Sequence, residues 1–450
     1  MGKRERAILF IITAILFVAT ATALIVYSQG YRLDWEHKKI TKTGGFFIKA
    51  PPRALITINE KTVKKVNLLG SGVFIPNFLP REYTVRVYKP GFWEWEKTLF
   101  IEPGRTTEAR SILLVQKVPR QDLLSDGVED FLPAPDQRNI AIKKSGGLWM
   151  LDTENKKEVL LTAQLFRLIS WSPDSQYLLL EEPSGRNILF HVKNGIVIPL
   201  PGTAENFQWL TNESSKILFL SPASRDLTLY DLQNQEGVVL FKNVAAYTPK
   251  EAGVLFIDAA TRMLYEGNLA GTIQKQLTLT PLEENDIHTV EIFPYGDFVF
   301  LRDGANRLLR FEKSSASLDE VGSNVQHIVF SSLGKSVLFT TPNEIWVLYL
   351  KDILIQPFRY RDQKDLIVRL SEKIEDAAWY TKDNEHIIFR VRNNVRITEL
   401  DGRDKRNTPI LVEMSNASQD NSMNPAIRYS ENNNLLYILD GGKLYSVDMR

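Results

Sequence analysis

The longest uninterrupted apolar stretch of the chain lies near its start, from Ala7 to Tyr27, and it contains no charged residue. As an α-helix these residues would rise about 32 Å, at about 1.5 Å each, and would cross the roughly 30 Å hydrocarbon core of a bilayer. Lys3, Arg4 and Arg6 precede the stretch. Because basic residues stay on the cytoplasmic side, the pattern predicts a cytoplasmic stub (1–6), a transmembrane helix (7–27) and an extracytoplasmic remainder.

A cleavable signal peptide is the alternative interpretation of the same stretch, since Ala19-Thr20-Ala21 and Ala21-Thr22-Ala23 both fit a small-x-small cleavage site. The apolar run continues through Leu24, Ile25 and Val26 and is longer than a usual signal-peptide core. This length favours an uncleaved anchor that makes the lipid bilayer a partner of the chain.

After a predicted linker (28–43), residues 44–115 show short apolar segments of strand length. Between Tyr83 and Tyr88 the side chains alternate in type, which is the period of a half-buried strand. Proline and glycine separate the segments. The pattern predicts a small β-sandwich with strands at Gly45–Lys49, Ala54–Asn59, Tyr83–Tyr88, Glu96–Ile101 and Glu108–Leu114.

The order of landmarks in this region resembles the PEGA domain family. The family's Pro-x-Gly-Ala signature corresponds to Pro51-Pro52-Arg53-Ala54, and its later Leu-Pro-Gly-x-Tyr-x-Val segment corresponds to Leu79–Val85. Its Gly-Tyr element corresponds to Pro90–Trp95. Arg53 and Arg81 stand where the family has glycine. The resemblance covers about 70 residues and implies an extracytoplasmic accessory module without catalytic residues.

A strand–turn–strand unit repeats through the rest of the chain. Its clearest copy is Ile169–Leu180, where Pro173 and Asp174 suit the central positions of a β-turn. Positions equivalent to Trp171 recur about every 40 residues, at Pro133, Trp209, Tyr247, Phe293, Phe330, Trp379 and Tyr429. Eight such units predict a β-propeller over 116–450, of eight or possibly seven blades, with an open solenoid of hairpins as the alternative. The segment Gln121–Ser125 is predicted to supply the missing outer strand of the last blade.

The turn at Trp171–Ser175 is similar to the Trp-Ser-Pro-Asp-Gly turn of TolB-type propellers, with Ser175 in place of the family's glycine. The other copies of the repeat are degenerate. Together these patterns predict a mainly β fold class: an N-terminal transmembrane helix, a PEGA-like β-sandwich and a TolB-like or WD40-like propeller.

The amino-acid composition limits the partners and the kinds of binding or catalytic site that the chain can have. The 55 basic residues balance 54 acidic ones, which argues against a nucleic-acid partner. No cysteine occurs, so disulfides, thiolate metal sites, cysteine nucleophiles and a lipoprotein anchor are excluded. The five histidines are scattered without metal-ligand spacing. We therefore expect no metal and no cofactor.

Motifs for catalysis are missing as well: the sequence has no nucleophile elbow, no phosphate-binding loop and no EF-hand loop. We expect a non-catalytic protein that binds or scaffolds an envelope protein, peptide or glycan. A hydrolase with carboxylates brought together from distant blades is one alternative. A membrane sensor that acts through a partner is another.

Five side chains are candidates for contact with such a partner. Trp93 and Trp95 lie two residues apart and would share one face of a strand, where paired indoles can stack on a sugar or a protein, or simply pack over the sheet. Arg359, Arg361 and Arg403 lie in predicted loops and could contact an anionic polymer, or could belong to solvated loops.

Overall fold

A computed structural model describes residues 2–67, 72–202, 204–282, 287–414 and 427–449. Helix α1 spans Lys3–Ser28, and its apolar side chains are exposed. It is long and apolar enough to cross a membrane. The chain forms two compact units. The first comprises Met1–Val118, Lys351–Gln363 and Ile397–Leu411, and the second comprises Pro119–Leu350, Lys364–Arg396 and Val412–Arg450.

The segment 28–43, treated above as a linker, contains a β-hairpin of two short strands, β1 (Tyr31–Asp34) and β2 (Lys39–Lys42). Gly30 turns the chain out of α1 with φ +86°, a conformation that glycine adopts without steric cost. Its carbonyl accepts the amide of Thr43 at 2.8 Å. The hairpin is thus closed at its base, directly after the helix.

A β-sandwich follows the hairpin in the first unit. Its strands are β3 (Gly44–Ile48), β4 (Leu55–Ile58), β5 (Lys61–Lys65), β6 (Val73–Phe78), β7 (Glu82–Tyr88), β8 (Trp95–Phe100) and β9 (Thr106–Ala109). One sheet has the order β6-β3-β9 and the other β5-β4-β7-β8. Phe46, Ile48, Ile56, Val85 and Trp95 form part of the core between them, because alternate residues of each strand point inward.

Within the described residues the second unit contains eight four-stranded sheets, and this confirms the predicted mainly β class with a propeller. In blades 1 to 4 the strands are β11 (Val128–Pro133), β12 (Asn139–Lys144), β13 (Gly147–Asp152), β14 (Lys157–Thr162), β15 (Arg167–Trp171), β16 (Tyr177–Glu181), β17 (Asn187–His191), β18 (Val197–Pro199), β19 (Glu205–Trp209), β20 (Lys216–Leu220), β21 (Leu227–Asp231), β22 (Glu236–Phe241), β23 (Val244–Lys250), β24 (Gly253–Asp258), β25 (Leu264–Asn268) and β26 (Ile273–Gln276). A 3-10 turn, Ile287–Thr289, precedes blade 5.

Blades 5 to 7 and the last blade complete the unit. Their strands are β27 (Glu291–Tyr295), β28 (Phe298–Arg302), β29 (Leu308–Glu312), β30 (Ser317–Gly322), β31 (His327–Phe330), β32 (Ser336–Thr340), β33 (Glu344–Tyr349), β34 (Lys364–Arg369), β35 (Ile374–Trp379), β36 (His386–Val391), β37 (Asn394–Glu399), β38 (Ile410–Glu413), β39 (Ile427–Ser430), β40 (Leu435–Asp440) and β41 (Lys443–Asp448).

The ring closes by pairing an early strand with the last one. β10 (Gln121–Asp126) pairs antiparallel with β41, so the last blade has the order β10-β41-β40-β39. The prediction that Gln121–Ser125 completes the last blade is confirmed. Apolar side chains also join this blade to blade 1, where Tyr437 and Leu444 share a buried cluster with Phe131 and Ile140.

Every position that marks the repeat lies in the first strand of a blade. Several of these residues bond to the preceding blade: the indole Nε1 of Trp171 donates to the carbonyl of Leu132 (2.9 Å), and that of Trp379 donates to the carbonyl of Val329 (2.9 Å). A buried indole needs an acceptor for its N–H. Trp171 and Trp379 thus join neighbouring blades.

Candidate functional site

Two chain segments, 351–363 and 397–411, belong to the sandwich unit although they lie between strands of propeller blades in the sequence. The first connects β33 to β34, and the second runs from the end of β37 to β38. These segments contain the three arginines predicted to contact a partner. The structure thus brings the two basic stretches into one compact unit with the sandwich.

The segment 397–411 is bound to the sandwich around Lys97, whose side chain is 0% exposed. Its ammonium Nζ lies 3.1 Å from Glu399 Oε1 and donates to the carbonyls of Asp401 (2.8 Å), Arg403 (2.9 Å) and Lys405. Carbonyls of alternate residues converge on one cation. This arrangement satisfies all three donors of the ammonium and stabilises a buried charge.

Glu399, the ionic partner of Lys97, is also held by neutral donors. Its Oε2 accepts the indole N–H of Trp95 at 2.9 Å, and its Oε1 accepts the backbone and side-chain N–H groups of Asn407, both at 2.7 Å. A buried carboxylate with several hydrogen bonds and one cation is well compensated. The ion pair is therefore part of the attachment of the segment 397–411 to the sandwich.

Arg403 also connects the segment 397–411 to the sandwich. Its guanidinium pairs with Asp401 (Nη2 to Oδ2, 2.7 Å) and donates to the carbonyl of Glu108 in β9 (2.7 Å). Burial alone would raise the pKa of Asp401, but the hydrogen bonds and charge of Arg403 and the charge of Lys97 outweigh it and lower that pKa. Arg403 is therefore engaged within its own unit and does not belong to a solvated loop.

The segment 351–363 folds into a tight loop. Ile353 and Arg359 exchange both backbone hydrogen bonds, at 2.8 and 3.2 Å, and the Gln356–Pro357 peptide bond between them is cis. The Gln356 amide docks on the edge of β9: it donates to the carbonyl of Thr106 (3.0 Å) and accepts the amide of Glu108 (3.0 Å). The loop is thus held at its base and at its tip.

This loop exposes four large apolar side chains, which we call the apolar loop patch: Leu354 (73% exposed), Ile355 (55%), Phe358 (50%) and Tyr360 (58%). Clusters of exposed apolar side chains are typical of protein-interaction sites. Of the two predicted contact residues here, Arg359 is buried and Arg361 is exposed beside Asp362. The structure therefore places apolar side chains at the surface beside one of the two predicted arginines.

The predicted pair of indoles does not share a face. Trp93 precedes β8, whereas Trp95 begins that strand and is 3% exposed in the sandwich core. Trp93 remains 42% exposed with the Lys117 ammonium 5.4 Å from its ring centre. The prediction of a shared face is wrong because the alternation of a strand does not extend back to Trp93.

The propeller unit has a cavity of about 1070 Å³ lined mainly by the first strands of blades 2 to 7. Amide side chains of Asn187, Asn206, Gln208 and Gln326 contribute to its walls. A polar cavity of this size could accept a peptide segment or a sugar.

Carboxylates at the cavity are paired with arginines. Glu181 lies 2.9 Å from Arg167, Glu291 lies 2.6 Å from Arg302, and Asp376 lies 3.0 Å from Arg428. Each pair is formed within the propeller unit. These three carboxylates are thus engaged in ion pairs with arginine side chains.

The apolar loop patch does not stand out in the sequence, because arginines alternate with Phe358 and Tyr360. A signal was present: Phe330 and Trp379 are 49 residues apart, longer than the usual repeat, and the excess contains Ile353-Leu354-Ile355 and Phe358. Extra residues that carry apolar side chains inside a repeat indicate an insertion with its own packing or binding role.

Another group outside these surfaces brings together possible metal ligands: Asp34, Glu36 and His37, at the turn of the hairpin. His37 Nδ1 is bonded to Asp34 Oδ2 at 2.9 Å, and Arg81 lies near both carboxylates. These contacts account for the cluster as part of the hairpin's attachment to the sandwich.

Comparison with known proteins gives likenesses of fold only. No family model matches the chain, and no curated protein matches it. The β-propeller domain of Myceliophteria thermophila Cps50 (Swd1) has a TM-score of 0.43 and 12% identity, over 73% of this chain and 99% of that one. The C-terminal WD40 domain of Sif2 has a TM-score of 0.48 and 10% identity, over 73% and 98%.

The computationally designed Ika8 protein is a further likeness, with a TM-score of 0.47 and 10% identity over 72% of this chain and 96% of that one. Since these scores are low, the propeller assignment rests on the strand order of the chain itself. The PEGA and TolB resemblances receive no support from a matching family and stay predictions.

Proposed function

We propose that the chain is a membrane-anchored, non-catalytic binding protein that holds a protein of the cell envelope on the extracytoplasmic side. The apolar loop patch carries this proposal. Phenylalanine and tyrosine are enriched at protein interfaces, where they fill pockets on the partner. A loop held by Gln356 and by the Ile353–Arg359 pairing loses little further freedom on binding, and this favours affinity.

Glycan and anionic-polymer partners are less well supported. Sugar recognition by two coplanar indoles would need both Trp93 and Trp95 at the surface, and Trp95 is buried. Of the three arginines predicted to contact an anionic polymer, Arg361 is exposed, whereas Arg359 is buried and Arg403 is bonded to Asp401 and Glu108. The same loop exposes Leu354, Ile355, Phe358 and Tyr360, and these apolar side chains suit a protein surface.

The proposed absence of catalysis rests on the missing catalytic motifs of the sequence and on the ion pairs that engage Glu181, Glu291 and Asp376 at the propeller cavity. The proposed anchoring rests on α1, which is apolar over a length that matches a bilayer, and the basic residues before it favour a cytoplasmic N-terminus. We further propose that the sandwich is a PEGA-like module and the propeller a TolB-like one, on the order of sequence landmarks described above.

Site-specific photocrosslinking in intact membranes tests the binding role. A benzophenone amino acid is placed at Tyr360 in one variant and, as a control, at Val238 in another. Val238 is an apolar residue of β22 that is 63% exposed. We expect a protein adduct from position 360 that is absent from position 238.

A matched pair of substitutions completes the test. Phe358→Asp should abolish the adduct without lowering the melting temperature, because Phe358 is half-exposed, and Val238→Asp should leave the adduct unchanged. Equal crosslinking from both positions, or an adduct that persists in Phe358→Asp, would contradict the proposal. So would measurable turnover of an envelope peptide or glycan by the purified chain.

A further inference from the structure

The hairpin β1–β2 has two different faces. Because alternate residues of a strand point to opposite sides, Arg32, Asp34, Lys39 and Thr41 share one face. On this face Asp34 is buried, with Arg81 Nη2 at 3.8 Å, and Arg32 donates to the Asn77 side chain at 3.1 Å. One face of the hairpin is therefore attached to the sandwich.

The opposite face is apolar and open. Leu33 and Ile40 stand directly across from each other in the pairing register and are 43% and 65% exposed. Trp35, in the turn, is 81% exposed. Lys42 lies on this face opposite Tyr31 and is exposed, as is Lys38 in the turn. An apolar surface with an exposed indole and a border of lysines is the composition of segments that lie in a membrane interface.

The connection to α1 places this face near the end of the apolar helix. Only Gln29 and Gly30 separate Ser28 from Tyr31, so the chain reaches at most about 11 Å between them. The guanidinium of Arg32 lies 3.5 Å from the ring centre of Tyr27, and its Nη1 donates to the Tyr27 carbonyl at 2.7 Å. The hairpin is thus bonded to the last turn of the helix.

We propose that the open face of the β1–β2 hairpin lies on the bilayer that α1 crosses, with Leu33, Trp35 and Ile40 in the headgroup region and the lysines against lipid phosphates. This inference rests on the proposed membrane anchoring. The hairpin then orients the sandwich unit relative to the membrane surface, because its other face is bonded to Asn77 and Arg81. A single helix without such a contact would leave the unit free to swivel.

The absence of cysteine in the chain makes a depth measurement simple. Single cysteines are introduced into the full chain by Leu33→Cys, Ile40→Cys or Lys39→Cys, spin-labelled, and reconstituted into vesicles that contain anionic lipid. Lys39 is the matched control, since it neighbours Ile40 but points to the other face. Collision rates with oxygen, which concentrates in lipid, and with a water-soluble nickel chelate are then compared. Phe17→Cys, within α1, reports on the anchor itself.

We expect labels at positions 33 and 40 to show a several-fold lower nickel accessibility than the label at 39, with oxygen accessibility retained. Nickel accessibility at 33 and 40 equal to that at 39 would overturn the inference while leaving the anchor intact if position 17 reads as lipid. Low accessibility to both reagents at 33 and 40 would indicate a protein on this face and would also overturn it. A position 17 exposed to nickel would refute the anchor and the hairpin inference together.

Discussion

Removing the ammonium of Lys97 is the sharpest perturbation that the sandwich unit offers. In Lys97→Met a side chain of similar length keeps the apolar contacts, but Glu399 loses its only ionic partner among the contacts described above. The carboxylate is 4% exposed and keeps its bonds to Trp95 and Asn407. Breaking a buried ion pair by removing one partner costs about 3–5 kcal/mol, since a buried charge is left without compensation.

Hydrogen–deuterium exchange measures this cost locally. The amide of Thr98 donates to Asp404 Oδ2 at 2.8 Å, so its exchange reports the opening of the segment 397–411 from β8. With about 1.4 kcal/mol for each factor of ten, the variant should exchange about 10²- to 10⁴-fold faster at this amide. The full chain in detergent is the sample.

Two further variants separate the cost of an uncompensated buried charge from the other effects of removing a lysine. Lys405 lies in the same segment, is 58% exposed and pairs with Glu96 at 3.0 Å, so Lys405→Met should cost less than about 1 kcal/mol. Adding Glu399→Gln to Lys97→Met should recover at least about 1.5 kcal/mol, because the uncompensated charge is gone. A cost for Lys97→Met as small as that for Lys405→Met would refute the reasoning.

Other predictions concern the closure of the propeller, the core of the sandwich and the loss of stability at low pH. Deleting Gln121–Asp126 removes the strand that closes the last blade and should lower the calorimetric melting temperature of the propeller by at least about 5 °C, and an unchanged value would contradict closure by β10. Trp95→Ala should cost about 3–5 kcal/mol of unfolding free energy in urea, and Trp93→Ala less than about 1, in keeping with their burial. Because the folded-state pKa of Asp401 is lowered, its contribution is present above the unfolded pKa of about 4 and is lost as the pH falls through the folded value. Arg403→Gln should therefore flatten the fall in melting temperature below pH about 4, and parallel curves would contradict this assignment.

Local patterns were sufficient to predict most of the strands. The alternation of Tyr83–Tyr88 corresponds to β7, and each residue that marks the repeat lies in the first strand of a blade. The closing strand could be inferred because the last repeat lacked one. These features depend on neighbours in the sequence or on a regular period, and both can be read from one chain.

Strands without such a pattern were missed or misplaced. β5 reads Lys-Thr-Val-Lys-Lys, and β6 contains Pro76, which argues against a strand in the sequence but is tolerated at the edge of a sheet. The predicted strand Glu108–Leu114 is instead β9, which ends at Ala109. The apolar residues beyond it, such as Leu114, are buried in the sandwich core without belonging to a strand.

The candidate surface depended on contacts that no local pattern contains. Lys97 and Asp401 are 304 residues apart, and Gln356 binds Thr106 of β9 from 250 residues away. A lysine between Trp95 and Leu99 looks like an ordinary strand residue until the carbonyls of segment 397–411 surround it. The apolar loop patch likewise depends on contacts of its segment, those of Gln356 with β9 and of Ile353 with Arg359.

Membrane topology is tested most directly by labelling single cysteines with a membrane-impermeant maleimide in intact spheroplasts. Ser184→Cys places the thiol in an exposed turn of the propeller, and Gly2→Cys places it before α1. We predict that position 184 is labelled in intact spheroplasts, whereas position 2 is labelled only after permeabilisation. Labelling of position 2 with protection of position 184 would contradict an extracytoplasmic binding protein.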